Sequence, residues 1–196
     1  MNARELTEFS EHLRQSAYKI LEDCRIIPLW ESIGAEVHIV GSLKTGLMIH
    51  KDIDMHIYSD KLSVPDSFAV ISKSAQCPAV KDIRYKNLID TEEECLEWHV
   101  LYEDDNKDVW KFDMIHIRKG SKYDGAVERV TEAIRKKLTP DLRQTILQIK
   151  YDMPKDAIIP GIEVYQAVFT GRVRNYEELL QWRKTNPLTN SLHWLP

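Results

Sequence analysis

The stretch Asp52-Ile53-Asp54-Met55-His56-Ile57-Tyr58 constrains this chain more than any other, because its strict alternation makes a strand with two unlike faces. Ile53, Met55 and Ile57 share one face, which reads as core. Asp52, Asp54 and His56 share the other. Two carboxylates so close repel, and each is driven to take up a proton unless a cation sits between them. A hard divalent ion meets that need. Oxygen ligands beside a phosphate favour Mg²⁺, which keeps some of its waters and is held by one or two carboxylates plus substrate phosphates.

The phosphate partner is read just upstream. His38-Ile39-Val40 is short, β-branched and bounded by Gly41, so it reads as a buried strand entering a tight turn where glycine lets the backbone approach a ligand. Ser42 offers a hydroxyl and an N–H to a phosphate oxygen, and a helix starting there would add unpaired N–H groups. Lys44 adds a point charge. A third carboxylate is expected from Val109-Trp110-Lys111-Phe112-Asp113-Met114-Ile115-His116-Ile117, where a charge inside an apolar strand is costly unless paired or metal-bound. Asp104, Asp105 and Asp108 cluster with Asn106 and Lys107 and read as a hairpin loop instead. His56 reads as a structural hydrogen-bonding partner. His116 falls opposite Asp113 in parity and reads as core or surface.

Taken together these residues resemble the nucleotidyltransferase superfamily of DNA-polymerase-β type, whose signature is a hydrophobic residue, Gly, Gly or Ser, a short spacer, then Asp-hydrophobic-Asp/Glu-hydrophobic. The resemblance covers roughly residues 37 to 58 and the strand around Asp113. It implies an α+β fold, a small mixed sheet flanked by helices and followed by a C-terminal helical bundle. It also implies that Gly41 and Ser42 hold a nucleoside triphosphate, that Asp52 and Asp54 bind two Mg²⁺ ions, and that Asp113 binds the ion beside the nucleophile and helps take its proton. In that pattern an acceptor hydroxyl attacks the α-phosphate of the NTP, ATP among the candidates, and pyrophosphate departs. The acceptor itself lies outside the matched residues.

Composition narrows the acceptor. A net charge of −4 supplies no field for a polyanion, which disfavours long DNA or RNA and points to a small hydroxyl-bearing acceptor. Charge is uneven: residues 86–117 carry three basic against ten acidic side chains, residues 118–150 nine against four. Arg129, Arg135, Lys136, Lys137 and Arg143 are the cationic candidates in the second block for meeting triphosphate. Cys24, Cys77 and Cys95 fit neither a zinc motif nor a disulfide framework and read as buried thiols. With no apolar run of 18 residues and no leader, a cytoplasmic location without membrane contact is expected. A competing reading is a non-catalytic nucleotide-binding regulatory module acting through a protein partner, and the face on which Asp113 lies discriminates the two. A bare structural cation site is a third.

Along the chain, residues 2–23 read as a helix with an Asn2/Glu5 capping box, ended at Pro28. A short helix is expected from Pro65 to about Ala75, then extended segments near 79–89, 95–103 and 108–118. From Gly120 the period turns helical, over about 124–138, 141–151, 161–170 and 175–186, with Thr139-Pro140 and Ile159-Pro160-Gly161 as punctuation. The expected division is a catalytic domain at 1–120 and a helical region at 121–196. Tyr165, Phe169, Tyr176, Leu179, Leu180 and Trp182 read as packing residues, one of which touches a base.

Overall fold

In the computed structural model, which describes residues 1–188 and 194–196, the alternating stretch forms the second strand of a five-stranded mixed sheet. The strands are β1 (Glu36–Ile39), β2 (Asp52–Ser59), β3 (Val80–Leu88), β4 (Cys95–Glu103) and β5 (Val109–Arg118), in spatial order β1-β2-β5-β4-β3. β2 and β5 run parallel; the other neighbours are antiparallel. Ile53, Met55 and Ile57 are fully buried. Each contributes about 1.5–3 kcal/mol relative to exposure, so a one-residue slip, which would turn all three to the other face, is strongly opposed.

That apolar face packs on α1 (Ala3–Cys24), α2 (Ile26–Glu31) and α4 (Val64–Ser74), through Leu13, Ala17, Ile20, Trp30, Val70 and Ile71 against Trp98, Phe112 and Met114. The Asn2/Glu5 capping box opens α1, with Glu5 N–H donating to Asn2 Oδ1 at 3.0 Å. α1 does not run to Pro28. Arg25 adopts a left-handed conformation (φ 53°) that stops it, and Pro28 lies within α2, in the first turn, where a missing N–H costs nothing. α4 starts on Ser63, whose hydroxyl accepts from Asp66 N–H at 3.3 Å.

α3 (Gly41–Thr45) is a single turn between β1 and β2. The helical half comprises α5 (Ala126–Lys137), α6 (Pro140–Asp152), α7 (Gly161–Phe169) and α8 (Tyr176–Thr185), with Thr139 capping α6 through Leu142 N–H at 3.2 Å. These helices share a second core of Val130, Ile134, Ile146, Leu147, Val164 and Leu179, which also takes in Leu6 of α1. α1 thus reaches from the sheet core into the helical core. Among the described residues no helix is long and apolar enough to cross a membrane.

His116, of opposite parity to Asp113, is fully buried on the core side, between Ser59 Oγ (2.8 Å) and Ser67 Oγ (3.3 Å). Burial pushes its pKa down to about 4. The unfolded chain therefore binds more protons between about pH 6.5 and 4, and stability falls as pH drops through that window. Urea denaturation at pH 7 and pH 4 should show the wild type losing on the order of 2–3 kcal/mol more than His116→Gln. Parallel losses in the two proteins would contradict the buried neutral imidazole.

Candidate active site

Gly41 is where the two motifs meet. Its φ of 61° is left-handed, and a Cβ at this position would overlap the Asp54 carboxylate. Val40 N–H donates to Asp54 O at 3.0 Å and clamps the turn onto β2. The residue type is therefore demanded twice, by backbone angle and by the close approach of a carboxylate.

The parallel pairing of β2 with β5 sets Asp54 directly beside Asp113, and Asp52 beside Lys111. Asp52, Asp54 and Asp113 line one cavity of about 530 Å³ together with Gly41, Ser42, Thr45, Lys150 and Tyr165. Val130 and Ile134 of α5 and Ile162 of α7 supply an apolar wall. A few polar groups converging in a largely apolar cleft are what a nucleotide-sized ligand requires.

The carboxylates are under strain of charge. Burial foremost, then Asp113 and Asp52, pushes the Asp54 pKa up to about 6. Burial also raises Asp52, against the pull of His50, with Asp113 adding to the rise. Asp113 is held from two directions: His99 Nδ1 contacts its Oδ1, and Lys111 Nζ lies 2.8 Å from its Oδ2. Among the described residues no three His, Cys, Asp or Glu side chains are already gathered as a metal cage. The donor set nevertheless fits a hard cation that takes its remaining ligands from water and phosphate: oxygen donors only, mutually repelling and partly desolvated.

Sequence reasoning missed Lys150. It occupies the buried stripe of α6, three residues after Leu147 and four after Ile146, and is only 7% exposed. Its ammonium donates to Leu47 O at 2.6 Å and sits 5.9 Å from the centre of the Tyr165 ring. Burial lowers its pKa to about 8, while Asp54 and Asp52 hold it up. The one signal available was a lysine in phase with an apolar stripe. Of the cations read from sequence, Arg129, Arg135, Lys136 and Lys137 are exposed or on the outer side of α5, and none lines the cavity. Lys44 is exposed and borders a separate cavity with Glu128 and Glu132. His56 contacts Tyr58 Oη at 3.2 Å and lies 3.3 Å from Glu128, the structural role expected for it.

No protein-family model matches the chain, and no curated protein does. Solved structures do. One is the poly(A) polymerase complex of GLD-2 with GLD-3, with TM-score 0.51, 14% identity and 98% of this chain covered. Another is Cid1, in a structure addressing its RNA terminal uridylyl transferase activity, with TM-score 0.56, 14% identity and 84% covered. A third is a mutant of Cid1 poly(U) polymerase bound to MgATP, with TM-score 0.55, 14% identity and 86% covered. This chain shares the fold of these structures. It spans 62%, 52% and 58% of the length of those three chains, and at such identity the likeness is one of fold.

Because Asp54 binds its proton more tightly folded than unfolded, the stability this group contributes is fully present below about pH 4 and is lost as pH rises through about 6. In EDTA at pH 7.5, Asp54→Asn should therefore melt higher than wild type, by an amount on the order of 2–3 kcal/mol or several degrees. At pH 4 the two should coincide, and Mg²⁺ should raise the melting temperature of the wild type alone. A variant that melts lower at pH 7.5 would contradict the charge strain.

Proposed function

We propose that this protein is a Mg²⁺-dependent nucleotidyltransferase that moves a nucleoside monophosphate from an NTP to a hydroxyl of a small acceptor and releases pyrophosphate. The observation that carries the reading is the side-by-side pairing of Asp54 and Asp113 on parallel strands, with Asp52 and the Gly41 turn opening into the same cavity. A third carboxylate on this face favours turnover over a binding module that only holds nucleotide.

Asp52 and Asp54 would hold two Mg²⁺ ions, and Asp113 the one nearer the acceptor. When bound, such ions neutralise charge on both the attacking and the leaving oxygen. The rest falls to the chain's own residues. Gly41 and Ser42 present backbone and hydroxyl to the triphosphate, with Lys44 a peripheral charge at most, given its place outside the cavity. Lys150 supplies a charge made strong by its dry surroundings. Tyr165 and the α5 wall receive the base. Asp113 accepts the proton of the acceptor hydroxyl as its oxygen bonds to the α-phosphorus and the bond to the bridging oxygen breaks.

A second cavity, of about 310 Å³, supports a small acceptor. It shares Gly41, Asp54, Asp113 and Val127 with the first, so the carboxylates stand between the two. Its other lining residues include His56, Glu97, His99 and Ile115, and no Lys or Arg. A phosphodiester chain lodged there would meet carboxylates, with Lys86 and Lys111 already paired to Glu97 and Asp113, whereas a neutral or cationic polyol would find acceptors for its hydroxyls. The likeness to a poly(A) polymerase and to an RNA terminal uridylyl transferase favours a second reading, transfer to an RNA end.

Incubation with α-labelled NTPs, Mg²⁺ and separate pools of small metabolites and short RNAs should label the metabolite pool. Asp52→Asn and Asp54→Asn should each reduce transfer by at least ~100-fold, and Lys150→Met should raise the KM for NTP by ~10-fold or more. Label confined to RNA would replace the small acceptor with a nucleic-acid end, and label surviving both Asp changes would remove the mechanism.

A further inference from the structure

Asp113 lies on the middle strand of three, with Asp54 on one side and His99 on the other. Its carboxylate can turn about its last side-chain bond, and a ligand that must reach toward Asp52 and Asp54 needs one oxygen held on that side. His99 faces Asp113 directly across the antiparallel β4–β5 pair, with Nδ1 against Oδ1. The imidazole has a carboxylate behind it. Its Nε2 lies 3.6 Å from Glu97 Oε2, and that oxygen lies 2.7 Å from Lys86 Nζ on β3. Lys111 takes the remaining oxygen at 2.8 Å, but through a long side chain that is 44% exposed and free to withdraw. His99 is 23% exposed and has two rotatable bonds.

We infer that His99 is a positioning residue that fixes the Asp113 carboxylate by holding Oδ1 from the β4 side, leaving Oδ2 turned toward Asp52 and Asp54. The inference rests on the nucleotidyl-transfer reading for its purpose but not for its geometry. Lys111 then occupies Oδ2 as an exchangeable counter-charge, and a divalent cation arriving with the NTP takes its place. Without His99 the carboxylate turns freely or swings to follow Lys111. Outer partners that orient metal-ligating groups commonly cost 10–100-fold in affinity or activity when removed.

The test compares His99→Ala, His99→Asn and His99→Gln. An Asn amide nitrogen falls near the position of His Nδ1 and can still donate to Asp113; a Gln amide reaches past it, toward the position of Nε2. Mn²⁺ affinity is measured by calorimetry in the presence of a non-hydrolysable NTP analogue, alongside steady-state kinetics. The Ala and Gln variants should bind the weaker Mn²⁺ about 10-fold or more less tightly and lose kcat in proportion, with the affinity for the analogue and the acceptor KM within about 2-fold of wild type. Asn should restore both to within about 3-fold. Should Ala prove too unstable to assay, the Asn and Gln pair decides alone.

Unchanged Mn²⁺ affinity in Ala or Gln, or an Asn variant no better than Gln, would overturn the inference. So would a raised acceptor KM with cation affinity intact, which would make His99 an acceptor contact. If the wild type transfers no nucleotide to any acceptor, the functional reading fails, while the cation titration still decides the role of His99.

Discussion

Three carboxylates on one face of a parallel strand pair repel one another, and the fold holds them together regardless. Ile53, Met55 and Ile57 are fully buried on the opposite face of β2, and their burial fixes the parity that points Asp52 and Asp54 the other way. The pairing of β2 with β5 then brings Asp113 alongside Asp54. Hydrophobic burial on one side of the sheet thus sustains the carboxylates on the other, where the pKa of Asp54 is raised by its own burial first and by Asp113 and Asp52 second. Local stability is given up at the site where, on the proposed reading, a bound cation would neutralise the charge.

The surrounding residues manage that tension from several sides. Gly41 lets the backbone approach Asp54 where any side chain would collide. Lys111 and His99 hold the two oxygens of Asp113. Lys150 reaches the cavity from α6, so the helical half contributes a charge as well as a wall. Two cavities meet at Asp54 and Asp113, one large with Lys150 in its lining, one smaller with Glu97 and the histidines in its lining. That asymmetry of charge underlies the assignment of triphosphate to one and acceptor to the other.

Most elements were legible because they rest on local periodicity and punctuation. The β3, β4 and β5 segments, the Asn2/Glu5 cap and the Thr139-Pro140 break all follow from residue type and spacing. What depends on tertiary packing was hidden. Lys150 looks like any basic residue on an amphipathic helix until α6 and α7 close over it. His99 acquires meaning only when the β4–β5 register sets it opposite Asp113. Lys44 sits two residues from Ser42 in sequence, yet the single turn of α3 carries it to a different cavity. Arg25, with no helix-stopping signature, ends α1 by adopting a left-handed conformation, close to the expected end at residue 23, and Pro28, read as the stop, lies inside α2 instead.

The most direct measurement is anomalous diffraction from crystals grown with Mn²⁺ and a non-hydrolysable NTP analogue. The account requires two Mn²⁺ peaks shared by Asp52 and Asp54, one of them also touching Asp113, with the triphosphate against Gly41 and Ser42 and within reach of Lys150. Peaks away from these carboxylates, or a nucleotide lodged outside the cavity they line, would contradict it.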